Sequence, residues 1–568
     1  MDATQALNIL WGRAWANLQR NHHHNQVALV KQCLLCGERG RLQENALTDH
    51  FFCGERCQGV LWGLDRHFDL GMKRGLVAVK SKKRFISLLP AVGLKDLPDD
   101  VLWELFRAAY EFALNSVEEM DELMAMRRIS PQFVRVIDHG VIPSIRFLCG
   151  EILSAIKQDI LALFTGLQTL AFGEGFRGDH KYREVVPQLN ALALSTMRNL
   201  RALSLGGIRR VLLSPLLENM KELQVLRLRD IEGVDLSDEA VSGLTGLRRL
   251  SIVYCYELTS VCLPTGSLLE SLELEDVEHF EDLNQCAGLT HLNLSATVEI
   301  LDAGIERLTN LTSLSIKGSR RLIRAGRGRR ITNAALLKLP NIKILDLGRN
   351  AEITDEAVSQ LTTLESLIVS EGNLITSVAI LQLSNLTSLD MRGNRNLDTG
   401  EIHRLQNLRE LYLDDADVAV GGDRGIELPP ALTTLSLDRM VGIGQFITNL
   451  ATLRCLYLHD CEDVTNTYLK QLTGLEVLDL SRNNLITDPG LRTLTGLEEL
   501  ILIDNAKISY KSVKKLHRLR YLVAINCRLG DREIRALRER RVIVFDEFSL
   551  YDVDKHPPHF MERYSGRG

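Results

Sequence analysis

No tryptophan occurs beyond Trp103. All four, Trp11, Trp15, Trp62 and Trp103, crowd the front of a 568-residue chain, which marks that front as a different object from the rest. No apolar stretch approaches the length of a membrane-spanning helix, and Met1 to Arg20 carries charges and tryptophans where a secretory signal needs an unbroken apolar run. Neither sign of charge dominates: a net charge of -5 and a pI near 6.3 supply no global attraction for nucleic acid. The eleven cysteines are scattered rather than spaced as a disulfide framework, so the expected location is the cytosol or the nucleus.

Catalytic signatures are missing as well. There is no Gly-rich phosphate loop, H-E-x-x-H, nucleophile elbow or kinase set. Gly173 to Gly178 fits a loose G-x-G-x-x-G, but no strand–helix–strand unit surrounds it. Cys455 and His459 lie within one strand and turn, where a nucleophile and a base do not converge on a pocket. The chain is not expected to be an enzyme.

What is abundant is a pattern. The segment Leu475-Glu476-Val477-Leu478-Asp479-Leu480-Ser481-Arg482-Asn483-Asn484-Leu485-Ile486-Thr487-Asp488 is one copy of L-x-x-L-x-L-x-x-[N/C]-x-x-[I/L]-T. Copies open at Leu167, Leu200, Leu223, Leu247, Leu269, Leu289, Leu311, Ile342, Leu364, Leu386, Leu408, Leu432, Leu453, Leu475, Leu497 and Leu519, the last ones 22 residues apart. That period lies inside the window of leucine-rich repeats and outside that of helical-pair repeats. The L-x-L alternation is a strand with one buried face, and apolar positions such as Ala357-Val358 to Leu361 suit a short helix or turn that covers it. The ninth position is Asn or Cys at Cys255, Asn350, Asn394, Cys461, Asn483, Asn505 and Cys527, where a buried side chain can bond the backbone of the turn. One repeat cannot bury its apolar face alone, so neighbours stack. The expected fold is therefore α/β: a leucine-rich-repeat solenoid over residues 146–545, a curved horseshoe with parallel strands on its concave face.

Ahead of it the sequence divides into a helical and polar segment (1–30), a cysteine module (31–70), a basic linker (71–93) and a helical domain (94–145). A tail (546–568) follows the solenoid. In the cysteine module, Cys33 and Cys36 form a C-x2-C pair, and Cys53 and Cys57 form a C-x3-C pair after a short loop. Four thiolates close a tetrahedral zinc shell without water, and in so short a segment metal binding supplies folding energy that a small core lacks. A structural Zn2+ is the expected cofactor. Unligated cysteines are the alternative.

In the helical domain, Pro98 suits the opening of a helix, and Asp99 and Asp100 suit its positive end. Leu102, Leu105 and Phe106 then mark an apolar face, and Val117 to Ile129 makes a second helix before Ser130-Pro131-Gln132-Phe133. Leu94 to Val141 resembles an F-box, with Leu97-Pro98, Leu102, Leu105-Phe106, Glu122-Leu123, Ile129-Ser130 and Phe133 in matching places. Two departures are visible: the stretch between the first two helices is longer than usual, and Phe133 stands where the family has tryptophan. A helical cap for the solenoid is the alternative reading.

The order of modules is similar to that of F-box/leucine-rich-repeat proteins, and the finger with Phe52-Cys53-Gly54-Glu55-Arg56-Cys57-Gln58 is similar to proteins of large DNA viruses of protists. The resemblance implies that Leu97, Pro98, Leu102, Leu105, Phe106, Ile129 and Phe133 dock on the adaptor subunit of a cullin-based ubiquitin ligase while the solenoid holds a protein substrate. A repeat scaffold or sensor without ubiquitin transfer is the alternative.

Within the repeats, the fifth and seventh positions alternate with buried leucines and are expected to face a partner. They include Arg227 and Arg229, Glu273 and Glu275, Arg392, Tyr412 and Asp414, and Tyr457 and His459. Both signs of charge suit a folded protein or peptide better than a polyanion. The repeat that opens at Leu311 is enlarged by a basic insertion at 317–330, expected to be an exposed loop. Near the end, the same positions turn apolar at Ile501, Ile503, Val523 and Ile525. Val542 to Phe545 is spaced to add a closing strand, and the tail beyond carries apolar groups able to fold back.

Overall fold

The computed structural model describes residues 167–545 with breaks, the longest at 173–197, 319–330, 416–427 and 444–451. Before them it describes the backbone of four short strands: Gln43–Asn45, His50–Phe52, Ala113–Leu114 and Ser144–Phe147. The chain divides into two compact units, Met1–Leu247 and Arg248–Gly568. No helix among the described residues is long and apolar enough to cross a membrane.

In the first unit, Gln43–Asn45 pairs antiparallel with His50–Phe52, a hairpin lying between the two cysteine pairs in sequence. Separately, Ala113–Leu114, Ser144–Phe147, Thr169–Phe172, Ala202–Gly206 and Val225–Arg229 form a parallel ladder in chain order. This ladder begins inside the segment 94–145. Its early strands are irregularly spaced in sequence, which is why the repeat pattern does not reveal them.

In the second unit an unbroken parallel ladder runs from Arg249–Val253 to Ile543–Phe545, each strand paired with that of the next repeat. The fourth-position leucines stand in register, Leu345 opposite Leu367 and Leu367 opposite Leu389, and these residues are fully buried. The sixth position, as at Leu347, Leu458 and Leu480, buries equally. The basic insertion leaves the register intact, since Ser313–Ser315 pairs directly with Ile344–Asp346 on either side of it. The inserted residues 319–330, expected from the sequence to be an exposed loop, lie outside the described residues.

Two rows of polar side chains and one row of left-handed backbone satisfy the turns. The ninth-position side chain donates to the sixth-position carbonyl of the preceding repeat: Asn350 Nδ2 to Ile316 at 3.2 Å, Asn394 Nδ2 to Val369 at 2.8 Å and Asn505 Nδ2 to Leu480 at 2.8 Å. Cys461 does the same with its thiol, 3.1 Å from the Leu437 carbonyl, and burial pushes that thiol up to about 12, so the donating proton stays on. The eighth position adopts left-handed backbone in repeat after repeat, at φ 57° for Arg349, 58° for Asp460 and 60° for Arg482, in places where glycine would be cheaper. Its N–H reaches the seventh-position carbonyl of the next repeat, as from Asp460 to Ser481 at 2.8 Å, so the strained residue extends the ladder by one bond.

On the helix side, the first residue of a repeat's short helix grips the cap of the following repeat. Asp302 accepts from the Thr332 N–H and hydroxyl at 2.7 and 2.6 Å, and Asn466 bonds Thr487 at 2.7 and 3.0 Å. Asp488 holds Ser509 through its N–H and hydroxyl at 2.8 and 2.6 Å. Burial works against ionisation of Asp488, but the bonds from Ser509 and Ser512 outweigh it and hold the carboxyl below its ordinary range.

The far end is capped. The helix Asp531–Glu539 is longer than the four-residue helices of the preceding repeats and buries Ile534 and Leu537. Arg540 donates to the carbonyls of Lys514 and Leu516 at 3.0 and 3.1 Å, and Ile543–Phe545 adds the expected closing strand. A terminal repeat treated this way hides a core that would otherwise face water.

Candidate functional site

The strand side chains that alternate with the core leucines form the outer face of the ladder. In the second unit the fifth positions of that face divide it into an open part, from Ser251 to Tyr412, where all but Asp390 keep exposed surface, and a closed part, from Ser436 to Phe545, where all are buried.

At the start of the open part, Glu273 accepts from the Ser251 hydroxyl at 2.6 Å and from Asn293 Nδ2 at 3.3 Å, while Glu275 accepts from the Tyr254 hydroxyl at 2.9 Å. Asn293 continues the row to Ser295, whose hydroxyl lies 3.0 Å from that of Ser315, and Ser315 donates to Asp346 at 3.2 Å. Both glutamates are half-buried and belong to a hydrogen-bonded row rather than standing free.

Five strand spacings further, about 24 Å at the usual separation, lies the most developed group. Arg392 Nε sits 2.9 Å from both Asp390 oxygens, and Nη2 donates to Oδ2 at 2.6 Å. The guanidinium lies 5.8 Å from the centre of the Tyr412 ring. Asp390 is nearly buried, whereas the Arg392 side chain keeps 41% of its surface exposed. The carboxylate fork and the ring fix the orientation of the arginine, so little side-chain entropy remains to be lost on a further contact.

The acidic members have a second task that the sequence pattern hides. Asp346, Asp390 and Asp479 each accept the backbone N–H two residues on, at 2.9, 3.0 and 2.9 Å, from Gly348, Arg392 and Ser481. Asp414 accepts the Asp438 N–H at 3.0 Å and the Ser436 hydroxyl, and Asp438 accepts the His459 N–H at 2.8 Å. These carboxylates satisfy the seventh-position N–H, which would otherwise be left over where each strand ends. The legible signal was Asp or Asn at the fifth position with a bend two residues later, the spacing of an Asx turn.

Asp414, Tyr457 and His459, read from the sequence as presented to a partner, are buried at 3%, 4% and 9% exposure. The physical reasons are the commitment of Asp414 to the backbone and the closing of the face beyond Ser436. Arg392 and Tyr412 keep exposed surface. Arg227 is exposed and Arg229 half-buried on Val225–Arg229 of the first unit, described apart from the second. Cys33, Cys36, Cys53 and Cys57, and Leu97, Pro98, Leu102, Leu105, Phe106, Ile129 and Phe133, lie outside the described residues. Burial pushes the Cys455 thiol up to about 11, with Glu476, Glu499 and Glu410 adding to the effect, so it carries no thiolate near neutral pH.

Asp346 shows what the buried row costs. Burial raises its pKa above the ordinary carboxylate value against the Gly348 N–H, the Lys317 charge and the Ser315 hydroxyl. A folded value above the unfolded one means that the native state takes up the proton first. Stability linked to this group therefore grows as pH falls through that window, and the ionised form is a net cost at neutral pH. Asp346→Asn keeps an oxygen for the Gly348 N–H and removes the charge. It is expected to raise the denaturation midpoint at pH 7 and to lose its advantage near pH 4; a lowered midpoint at pH 7 contradicts this.

The repeat register and the stacked parallel strands define an α/β leucine-rich-repeat protein. No family model matches the chain, and no curated protein is significantly similar to it. Among solved structures it is similar to a leucine-rich-repeat protein of Leptospira interrogans, at 24% identity over 62% of this chain and 91% of that one, with a TM-score of 0.41. It is similar to an internalin of Listeria monocytogenes at 18% identity over 63% and 88%, with a TM-score of 0.34. The mouse RP105/MD-1 complex matches at 17% over 73% and 76%, with a TM-score of 0.38. The architecture rests on the register and hydrogen bonding above rather than on these partial superpositions.

Proposed function

We propose that this chain is a non-catalytic receptor that holds a protein partner on the open strand face of its second unit. The observation that carries the proposal is the Asp390–Arg392–Tyr412 group, a guanidinium oriented by a carboxylate and an aromatic ring in a side chain that is 41% exposed. Arginine and tyrosine are over-represented among residues that dominate protein interfaces, most of all where neighbouring groups hold them in place. Negative charge at Glu273 and Glu275 and positive charge at Arg392 ask for a partner with both signs, which favours a folded protein over nucleic acid.

The finer reading is that the receptor serves a cullin-based ubiquitin ligase. Its support is the F-box resemblance of Leu94 to Val141 and the placement of that segment before the repeats. Leu97, Pro98, Leu102, Leu105, Phe106, Ile129 and Phe133 would meet the adaptor, with Arg227 and Arg229 as further partner contacts. Cys33, Cys36, Cys53 and Cys57 would hold a structural Zn2+, a reading supported by the paired spacing and by a hairpin that falls between the pairs. The proposed setting is the cytosol or nucleus.

One experiment separates the two levels. The full chain and its Leu97→Ala/Pro98→Ala variant are used to capture proteins from cell extract, with metal content measured on the same samples. The ligase reading expects a cullin adaptor with the wild type and none with the variant, zinc in both, and a shared second partner. A second partner without adaptor leaves the receptor alone standing. Absence of any partner from the wild type overturns both.

A further inference from the structure

The second positions of the repeats form a row along the edge of the second unit where its strands begin, and the charges in that row are matched between neighbouring repeats. Lys343 lies 2.7 Å from Glu365, Arg454 2.6 Å from Glu476 and Arg520 3.5 Å from Glu498, and Arg248 pairs with Glu270. Arg409 is the exception. Its side chain is exposed, the row places Thr387 and Thr433 on either side of it, and no acidic group among the described residues pairs with it. Glu410, next in sequence, is committed to the strand face, where it accepts from the Ser388 hydroxyl at 3.0 Å. Exposed pairs of this kind add little to stability, so the informative feature is that the row is neutralised everywhere except at Arg409.

A groove of about 560 Å³ opens at the same place, running from Lys343 and Glu365 past Asn385 and Asn407 to Arg409 and Ala431. It crosses five repeats, hence four strand spacings or about 19 Å. Asn385 and Asn407 each donate through Nδ2 to the backbone of the preceding repeat, to the Thr362 and Ser384 carbonyls at 2.9 Å. Those bonds hold the two amides and leave each Oδ1 an acceptor without a partner among the described residues. We infer that this groove takes an extended peptide segment with one carboxylate, from a side chain or a chain end, seated on Arg409 and with backbone N–H groups donating to Asn385 and Asn407. One carboxylate is enough, because Lys343 and Glu365 cancel and Arg409 carries the only uncompensated charge of the lining. A polyanion would bring further negative charge beside Glu365, and a small anion would leave both asparagine oxygens unused. About six extended residues cover the length of the groove. The site goes beyond the receptor surface of the strand face, since Arg409 stands ahead of the strand Glu410–Tyr412 and none of the Asp390–Arg392–Tyr412 group lines the groove.

The test measures binding of the full chain to acetylated, amidated hexapeptides of glycine, serine and alanine that carry glutamate or glutamine at each position in turn. Neutral hexapeptides with a free C-terminus form a second set, which separates a chain-end carboxylate from a side-chain one. The inference expects a carboxylate peptide of one set or the other to bind at least about tenfold more tightly than its neutral counterpart, the margin a charge-assisted hydrogen bond supplies. Arg409→Gln is expected to remove that preference without moving the denaturation midpoint, because the side chain is exposed and unpaired. Thr433→Glu supplies the missing acid from the following repeat, in the arrangement of Lys343 with Glu365 and of Arg454 with Glu476, and is expected to block the peptides with Arg409 still in place. No binding by the wild type, equal binding of charged and neutral peptides, or a preference that survives Arg409→Gln overturns the inference. So does a preference lost on Arg392→Ala/Tyr412→Ala, which would return the peptides to the strand face.

Discussion

Asn483→Ala is expected to destabilise the C-terminal repeats by on the order of 3 kcal/mol, the largest effect anticipated for a single side chain in this solenoid. Asn483 is 1% exposed and donates through Nδ2 to the carbonyls of Leu458 and Leu480, while its Oδ1 accepts the Cys461 N–H at 3.1 Å. Alanine would take from the Leu458 carbonyl and the Cys461 N–H the partner Asn483 supplies, in a place water does not reach, at about 1–3 kcal/mol for each group, while the Leu480 carbonyl keeps its bond from Asn505. Relaxation recovers part of this, so the sum is an upper bound. The chemistry also ranks substitutions. Cysteine, which already serves this position at Cys461 and Cys255, is expected to fall between asparagine and alanine because its thiol donates to one carbonyl but offers nothing to the Cys461 N–H. Because repeats are coupled mainly to neighbours, the loss should appear as faster hydrogen exchange from Leu453 to Phe545 before the earlier repeats respond. Urea denaturation of Asn483→Ala beside Asn484→Ala, whose side chain is exposed, checks the claim. Similar midpoints for the two would refute it.

The second large effect concerns binding. Arg392→Ala combined with Tyr412→Ala is expected to weaken the captured partner by about 2 kcal/mol or more, roughly thirtyfold. The fold should survive, because the Asp390 carboxylate still accepts the Arg392 backbone N–H at 3.0 Å. The Arg392–Tyr412 contact itself is half-exposed and worth about 0.5–1 kcal/mol to stability, much less than its expected share of an interface. Glu273→Ala, about 24 Å away along the ladder, should change binding by less, and its effect should shrink with added salt. Isothermal titration of the three proteins with the captured partner measures this. Equal affinities for wild type and the double variant would move the site elsewhere.

The repeats were legible in the sequence because their signal is redundant. Leu475, Leu478 and Leu480 report one buried face, Asn483 reports the turn, and Thr487 the helix cap; stacking then follows without long-range information. The early strands at Ala113–Leu114 and Ser144–Phe147 were not legible, because their spacing is irregular and short apolar runs do not distinguish strand from helix. The candidate site was half legible. Alternation placed Arg392 and Tyr412 on the correct face, but it carries no information on what covers that face, so Tyr457 and His459 were read as open when they are buried. The acidic side chains misled for a related reason. A carboxylate at the seventh position looks like a surface charge until the neighbouring strand brings an N–H to it, as Asp438 does to Asp414 at 3.0 Å. That contact crosses a whole repeat and has no local signature.

The most direct measurement of the receptor claim is site-specific photo-crosslinking in cells, with the photoreactive residue placed in turn at Tyr412 on the open strand face and at Val378 on the helix side. Val378 is 68% exposed, so accessibility alone favours it. The account predicts that the Tyr412 position captures a discrete protein partner and that Val378 does not, with the Tyr412 product lost on Arg392→Ala. Capture from Val378 alone, or of the same proteins from both positions, would contradict it.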